Sequence, residues 1–243
     1  GVSVSVIAAR DGEMETDYDY TSAVYAADLE DPALVGRRAG ERTVRKLGPR
    51  KAKTAQVPIL FEPRMARSLI GHLLGAITGP SVARGTSFLK DRLGQRIFAP
   101  GIAIIDDPHR TRGMRSKPFD GEGLANGRTE IIQDGVLTTW LLDLASARQL
   151  GLTSTGHAGR GTGGPPSPTS SNTHLAAGTM TPQQLMADIE QGFYVTEMMG
   201  HGANMVTGDY SRGAAGYWIE KGEIAYPVSE ITIAGNLKDM FLR

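Results

Sequence analysis

Short strand-like segments separated by turn signals dominate this chain of 243 residues. Valines alternate with small residues over positions 2–6, as in a half-buried strand, and Asp11-Gly12 is typical of a hairpin turn. A second hairpin signal, Asp134-Gly135, lies between two further apolar segments, which predict strands over residues 129–132 and 136–142. Strands and helices do not alternate regularly, as they would in a parallel α/β fold. The sequence therefore predicts a β-rich α+β fold, with short strands in a distorted barrel or sandwich and a few inserted helices.

Capping residues and apolar periodicity predict the inserted helices. We expect four of them, which begin after Asp31, at Pro63, at Leu144 and after Thr181, and end at Gly48, near Ile77, at Gly151 and at Gly192. In the second helix, Gly71, Gly75 and Gly79 recur every four residues. Glycine costs roughly 1 kcal/mol per position in a helix relative to alanine. We therefore expect another backbone to pack closely against this ridge.

Composition excludes several kinds of chemistry. The chain has no cysteine, so disulfides, thiolate metal sites and a cysteine nucleophile are impossible within it. Lys plus Arg and Asp plus Glu both number 26, so no overall charge attracts nucleic acid or an anionic membrane, although a local patch can exist. The longest nearly apolar stretch, residues 68–78, is too short to span a bilayer. No signal peptide is visible, and we expect a cytoplasmic protein without a membrane segment.

Glycine is unusually dense between residues 199 and 216, before a clear strand pattern that runs to residue 237. Glycine provides backbone freedom where side chains would clash. Asp209, Tyr210, Ser211 and Arg212 lie among these glycines, and we expect them to form a tight turn.

This block closely resembles the TldE/PmbA branch of the TldD/PmbA family, whose members are also called modulators of DNA gyrase. Further blocks that carry the resemblance include GEMETDYDY (12–20), GHLLGAITG (71–79) and FDGEG (119–123). The similarity runs through essentially the whole chain and implies another α+β domain upstream. We therefore expect residues 1–50 to lead in from that domain and residues 51–243 to form the β-rich C-terminal domain.

The resemblance also bears on metal binding. In the TldD branch, the helix that corresponds to residues 63–77 carries His-Glu-x-x-x-His, and a later cysteine completes the zinc site. Here the matching positions hold Arg67, Ser68 and His72. Arginine cannot ligate zinc, serine cannot replace the carboxylate, and a lone imidazole is far from the three protein ligands of a catalytic zinc site. We therefore expect no catalytic residue, metal or cofactor in this chain, and zinc in a TldD-type partner.

The family resemblance implies a heterodimer with a TldD-type subunit that cleaves unfolded peptides and matures small modified peptides. This chain would then position and enclose an extended peptide, whose backbone would pair with strand edges. Two alternatives are a stand-alone homodimer of unknown activity and a regulatory protein associated with DNA or gyrase.

Five residues are candidates for contact with substrate or partner: His72, His157, Asp209, Tyr210 and Arg212. The alternative for His72 is a packed helix histidine that is hydrogen-bonded to a neighbour. The alternative for His157 is an exposed loop histidine. For residues 209–212, it is a self-contained turn in which Asp209 binds backbone amides and an internal ion pair forms.

Two charged patterns favour structural roles. A basic run over residues 37–53 suggests either a phosphate-contacting helix or a solvated helix face, and zero net charge with no interleaved aromatics favours the second. Nucleic acid is therefore not an expected partner. Asp106-Asp107 precedes a proline and predicts a turn that ends a strand, rather than half of a carboxylate pair in a hydrolase.

Overall fold

The computed structural model describes all residues from Gly1 to Arg243. The strands are β1 (Val2–Arg10), β2 (Glu13–Thr21), β3 (Ile59–Phe61), β4 (Ile104–Asp106), β5 (Thr129–Gln133), β6 (Val136–Leu137), β7 (Ala158–Gly159), β8 (Ser167–Pro168), β9 (Thr173–Leu175), β10 (Gln191–Met199), β11 (Asp209–Glu220) and β12 (Glu223–Asn236). The helices are α1 (Pro32–Arg45), α2 (Pro63–Ala76), α3 (Gly79–Ala83), α4 (Leu144–Leu150), α5 (Pro182–Met186) and α6 (Leu237–Met240). None of the helices is long and apolar enough to cross a membrane.

The strands form two ladders of two strands and two sheets of four strands. The orders in the larger sheets are β12-β11-β10-β3 and β6-β5-β4-β9, and neither sheet closes on itself. The predicted β-rich α+β fold is confirmed, and no closed barrel forms. The chain divides into two compact units, each built from three segments. The first comprises residues 1–66, 179–201 and 212–233, and the second comprises residues 67–178, 202–211 and 234–243.

A regular hairpin and a helix open the first unit. Strands β1 and β2 pair antiparallel along their whole length. The predicted turn between them is confirmed, since Asp11 and Gly12 both have positive φ, as a two-residue hairpin turn requires. Helix α1 packs against both strands. It begins as predicted, because the Asp31 carboxylate accepts a hydrogen bond from the Ala33 amide at 2.9 Å.

The four-stranded sheet of the first unit is mixed. Strand β10 pairs antiparallel with β11 and parallel with β3. The predicted capping box of Thr181 and Gln184 is confirmed at the start of α5. We expected Gly192 to end that helix, but Gly192 lies within β10. A Cβ atom there would lie 2.6 Å from the Ile189 side chain, so this glycine permits close packing.

The second unit is built around the sheet β6-β5-β4-β9. Its fully buried side chains include Ile104, Ile131, Ile132 and Leu137. The predicted turn at Asp134-Gly135 is confirmed by positive φ at both residues. Helix α4 has the predicted bounds, and Gly151 ends it in the left-handed conformation.

Strand β6 is much shorter than the predicted segment 136–142. The Thr138 amide still donates to the Ile131 carbonyl of β5, but the Leu141 amide donates to the Ile77 carbonyl, outside that sheet. The apolar side chains of this segment are nevertheless buried. The sequence pattern therefore predicted burial correctly and strand length incorrectly.

No other backbone packs against the glycine ridge predicted on α2. A Cβ atom at Gly71 would meet nothing within 4 Å, and at Gly75 it would meet only the Met205 side chain. Gly79 lies in α3, where a Cβ would be 2.5 Å from the Cβ of Ser146. The close approach thus exists at one glycine and involves a side chain.

Candidate functional site

The positions that match the zinc motif lie on α2, within the second unit. The His72 ring meets the buried Tyr210 ring edge-on, with the ring centroids 5.9 Å apart and the planes at 78°. Two of the five predicted site residues are therefore brought together. Their contact supports the interpretation of His72 as a packed helix histidine.

The residues at this position do not fit a zinc ion. The positions that the family resemblance matches to the first histidine and the glutamate hold Arg67 and Ser68, and His72 supplies one imidazole. No group of three or more His, Cys, Asp or Glu side chains in the chain is placed to hold a metal ion. Three protein ligands are the usual minimum for catalytic zinc.

Asp209, Tyr210, Ser211 and Arg212 do not form the predicted turn, because they are the first residues of β11. The turn lies just before them, where the Asn204 side-chain oxygen accepts hydrogen bonds from the amides of Val206 and Thr207. Tyr210 then forms an antiparallel bridge with Ala203. Glycine density indicated irregular backbone correctly but did not locate it.

The Asp209 carboxylate binds side chains, and not the backbone amides of the alternative in which residues 209–212 form a self-contained turn. It accepts hydrogen bonds from the Thr207 hydroxyl at 2.6 Å and from the Asn236 amide nitrogen at 3.0 Å. These hydrogen bonds lower the pKa of Asp209 below its usual range. Asn236 also caps α6 through the Lys238 amide, so Asp209 ties the start of β11 to that helix.

Arg212 belongs to the first unit, in the body of β11. Its Nε atom is buried and makes no hydrogen bond.

His157 is buried, with 4% of its surface exposed, so the alternative of an exposed loop histidine is wrong. Its Nδ1 lies 2.9 Å from the Thr155 hydroxyl, and its Nε2 lies 3.6 Å from the Asp106 carboxylate. Burial lowers the pKa of His157, and the charge of Asp106 opposes this shift. Both ring nitrogens of His157 therefore face side chains of the second unit.

Two buried carboxylates organise the loops around His157. Asp106 ends β4, as predicted, and accepts hydrogen bonds from the Ser171 hydroxyl at 2.8 Å and the Thr173 hydroxyl at 2.6 Å. Asp120 accepts hydrogen bonds from the amides of Leu124 and Ala158. Because the carboxylate lies between serine and histidine, the imidazole is not placed to take the serine proton. The cluster braces loops and does not activate a nucleophile.

A buried ionic cluster in the first unit was not predicted from the sequence. Lys46 has 5% of its surface exposed, and its Nζ lies 2.5 Å from the Glu197 carboxylate and 2.8 Å from the Thr16 carbonyl. Arg38 and Arg42 pair with Asp19 at 2.5 and 3.2 Å. The interpretation of the basic run as a solvated face is therefore wrong for Lys46, whereas Arg38 and Arg42 are partly exposed and paired with Asp19.

Arg64, in the first turn of α2, connects this cluster to the hairpin. Its guanidinium pairs with Asp17 at 2.9 Å and with Glu62 at 2.8 Å, and lies 4.8 Å from the centre of the Tyr18 ring. Burial favours the neutral form, but the hydrogen bonds to the two carboxylates outweigh it and raise the pKa of Arg64. Burial and the charge of Asp17 also raise the pKa of Tyr217 to about 12.

A sequence signal for this cluster did exist. Residues 17 and 19 share one face of a strand, and residues 38, 42 and 46 share one face of a helix. Opposite charges on these two faces indicate pairing once the hairpin is known to pack against α1.

The matched regions define a member of a metallopeptidase family. The family model described as the PmbA/TldA metallopeptidase C-terminal domain matches residues 54–243, and that of the central domain matches residues 1–47. The chain belongs to the PmbA/TldD family.

The chain is 48% identical over 240 residues to Metalloprotease PmbA from Escherichia coli O157:H7. It is 41% identical over 239 residues to a Metalloprotease PmbA homolog from Haemophilus influenzae. These alignments cover 99% and 98% of this chain and 51% of each relative. The chain thus spans about half the length of these relatives.

Solved structures show the same fold. A protein from Bacteroides thetaiotaomicron, described as a modulator of DNA gyrase, superimposes with a TM-score of 0.89 at 29% identity, over 98% of this chain and 52% of that one. TldE from Thermococcus kodakarensis gives a TM-score of 0.86 at 22% identity, over 99% of this chain and 55% of that one. At that identity the second likeness concerns the fold alone.

Proposed function

We propose that this chain is a TldE/PmbA-type subunit of a TldD/TldE zinc metalloprotease complex that acts on unfolded or modified peptides. A cytoplasmic TldD-type partner holds the zinc and forms a heterodimer with it. The observation that carries the proposal is the motif position on α2. There the family fold is kept, while Arg67 and Ser68 replace zinc-site residues and His72 packs on Tyr210.

The role of this chain is to position and enclose an extended peptide. Zinc in the partner would supply Lewis-acid activation for amide hydrolysis. An extended peptide binds by adding a strand to an open sheet edge. In the first unit, β12 is such an edge strand, and Arg50 pairs with it only near Val228. Support for the peptide substrate comes from this edge and from relatives named metalloproteases.

The test is zinc content and peptidase activity of the full-length protein, alone and mixed with a TldD-type partner from the same organism. We expect zinc and hydrolysis of an unstructured peptide only when the partner is present. Replacing the glutamate of the partner's zinc motif should abolish activity. His72→Asn in this chain should leave the zinc content of the mixture unchanged.

Stoichiometric zinc and chelator-sensitive hydrolysis by this chain alone would overturn the proposal. The same holds if no complex with the partner forms at micromolar concentration in size-exclusion chromatography with light scattering. That measurement also distinguishes the heterodimer from a stand-alone homodimer.

The alternative of a DNA- or gyrase-associated regulator has less support. It relied on the basic run of residues 37–53, but Arg38, Arg42 and Lys46 are paired with carboxylates. Salt-dependent DNA binding that charge reversal at Arg37 and Lys53 removes would favour this alternative.

A further inference from the structure

The loop between β4 and β5 presents a dense positive charge. Residues 108–119 contain His109, Arg110, Arg112, Arg115 and Lys117, and no aspartate or glutamate. The three arginines are exposed. Because the whole chain is neutral, this loop is a local concentration of charge.

Hydrogen bonds and close packing define the conformation of this loop. The Asn172 side chain donates to the Asp107 carbonyl at 2.7 Å and accepts from the Arg115 amide at 2.9 Å. The Lys117 amide closes the loop onto the Pro108 carbonyl at 2.9 Å. At Gly113 a Cβ would lie 2.7 Å from the Asn172 amide nitrogen, so only glycine fits there.

One residue of the loop is held in an unfavourable backbone conformation. Arg112 has a φ of 57°, in the left-handed region that non-glycine residues rarely adopt. Such conformations persist where surrounding contacts impose them, and they concentrate at functional sites. Arg112 therefore marks a turn at which the surrounding contacts impose the backbone conformation of the loop.

The segment on which the loop packs adds no negative charge. Lys117 donates to the Ala158 carbonyl at 2.8 Å, and the Arg115 side chain donates to the Thr169 hydroxyl at 3.1 Å. Residues 158–172 contain no carboxylate and add the exposed Arg160. The Arg110 guanidinium makes no hydrogen bond or ion pair.

Exposed apolar side chains accompany the arginines. Met114 and Phe119 are 60% and 58% exposed. Arginine, methionine and aromatic residues are enriched in protein–protein interfaces, whereas lysine is depleted. The single lysine here uses its ammonium group within the fold. This composition favours a protein partner over nucleic acid.

We propose that the loop of residues 108–119 is a docking surface for an extended acidic protein segment that also carries apolar side chains. Arg110 and Arg115 would bind its carboxylates, in part bidentately, and Met114 and Phe119 would contact its apolar groups. This surface lies in the second unit, and the assignment does not depend on a metal-bearing partner.

The experiment is fluorescence anisotropy of the full-length protein with a short labelled peptide rich in glutamate and phenylalanine. A matched peptide has glutamine in place of glutamate. We expect only the acidic peptide to bind, with an affinity that falls as salt is added. The double variant Arg110→Gln/Arg115→Gln should weaken binding about tenfold, as expected for two lost charge-assisted contacts.

The matched control is Arg37→Gln/Lys53→Gln, which neutralises two exposed cations of the first unit and should leave binding unchanged. Both double variants should melt within about 2 °C of the parent, because surface substitutions change stability little. Equal binding of the two peptides, or equal loss in both variants, would overturn the assignment. So would tighter binding of a DNA oligonucleotide than of the acidic peptide at the same salt concentration.

Discussion

At the scale of single residues, burial determines what the charged side chains of this chain do. His157 and Lys46 both looked like surface groups in the sequence, and both are buried among carboxylates. Sequence gives the charge of a side chain but not the element that packs over it. Candidate roles in contact with substrate therefore could not be separated from structural roles by sequence alone.

We predict that His157 makes stability depend on pH. Its pKa is lowered in the folded protein, because burial outweighs the charges of Asp106 and Asp120, and Lys117 acts in the same direction as burial. The unfolded chain therefore binds more protons below about pH 6.5, and the free energy of unfolding decreases as the pH falls from about 7 to about 5. Urea unfolding of the parent and of His157→Asn measures this. The variant should show a shallower decrease, and parallel pH profiles would contradict the prediction.

We predict that Lys46→Ala destabilises the first unit by about 3 kcal/mol. The substitution leaves Asp17 and the Thr16 carbonyl without the ammonium group, and removing one partner of a buried ion pair is costly. The control is Lys51→Ala, whose pair with Glu230 at 3.2 Å is solvent-exposed and should contribute less than about 0.5 kcal/mol. Denaturant midpoints of the two variants provide the comparison, and similar losses would argue against a buried cluster.

At the scale of secondary-structure elements, the turn and capping signals in the sequence predicted the structure correctly. The hairpin turns, the Asp31 cap and the capping box of α5 each depend on a few neighbouring residues, and each is confirmed. The start of β11 at Asp209 was missed, although its first backbone partners, at residues 202–204, are near in sequence. A polar, glycine-rich segment has no strand pattern of its own, so the pairing partner determines its conformation.

We predict opposite effects for two alanine substitutions of glycines on or near α2. Gly79→Ala should destabilise the protein by roughly 1–3 kcal/mol, because its Cβ would overlap the Ser146 side chain. Gly71→Ala should stabilise it by up to about 1 kcal/mol, because the position is helical and nothing lies within 4 Å. Thermal denaturation checks both. A loss of stability in Gly71→Ala would restore the hypothesis of a packed ridge.

At the scale of the whole molecule, segments distant in sequence complete each unit. The second unit includes residues 234–243, where Leu237 and Phe241 are buried. The Phe241 ring stacks on that of Phe98, with centroids 4.5 Å apart. The sequence predicted the fold class and most elements, but this interleaving depends on contacts that no local pattern records. The division at residue 50 that we expected from the family resemblance stays a prediction.

We predict that Phe241→Ala destabilises the second unit by about 3–4 kcal/mol, because it removes a buried aromatic ring and leaves a cavity. Leu242→Ala, at an exposed neighbouring position, should cost less than about 0.5 kcal/mol. Hydrogen exchange of the amides in β4 and β5 measures the stability of the second unit. Equal protection in the two variants would show that residues 234–243 are dispensable for it.

The interleaved segments also have a consequence for biosynthesis. The hairpin and α1 involve nearby residues and can form while the chain is being translated. Neither unit, however, can be completed before residues 212–233 and 234–243 leave the ribosome. Pairings between distant segments fold slowly and leave apolar surface exposed in the meantime. We therefore expect the nascent chain to need protection by chaperones until synthesis of these segments is finished.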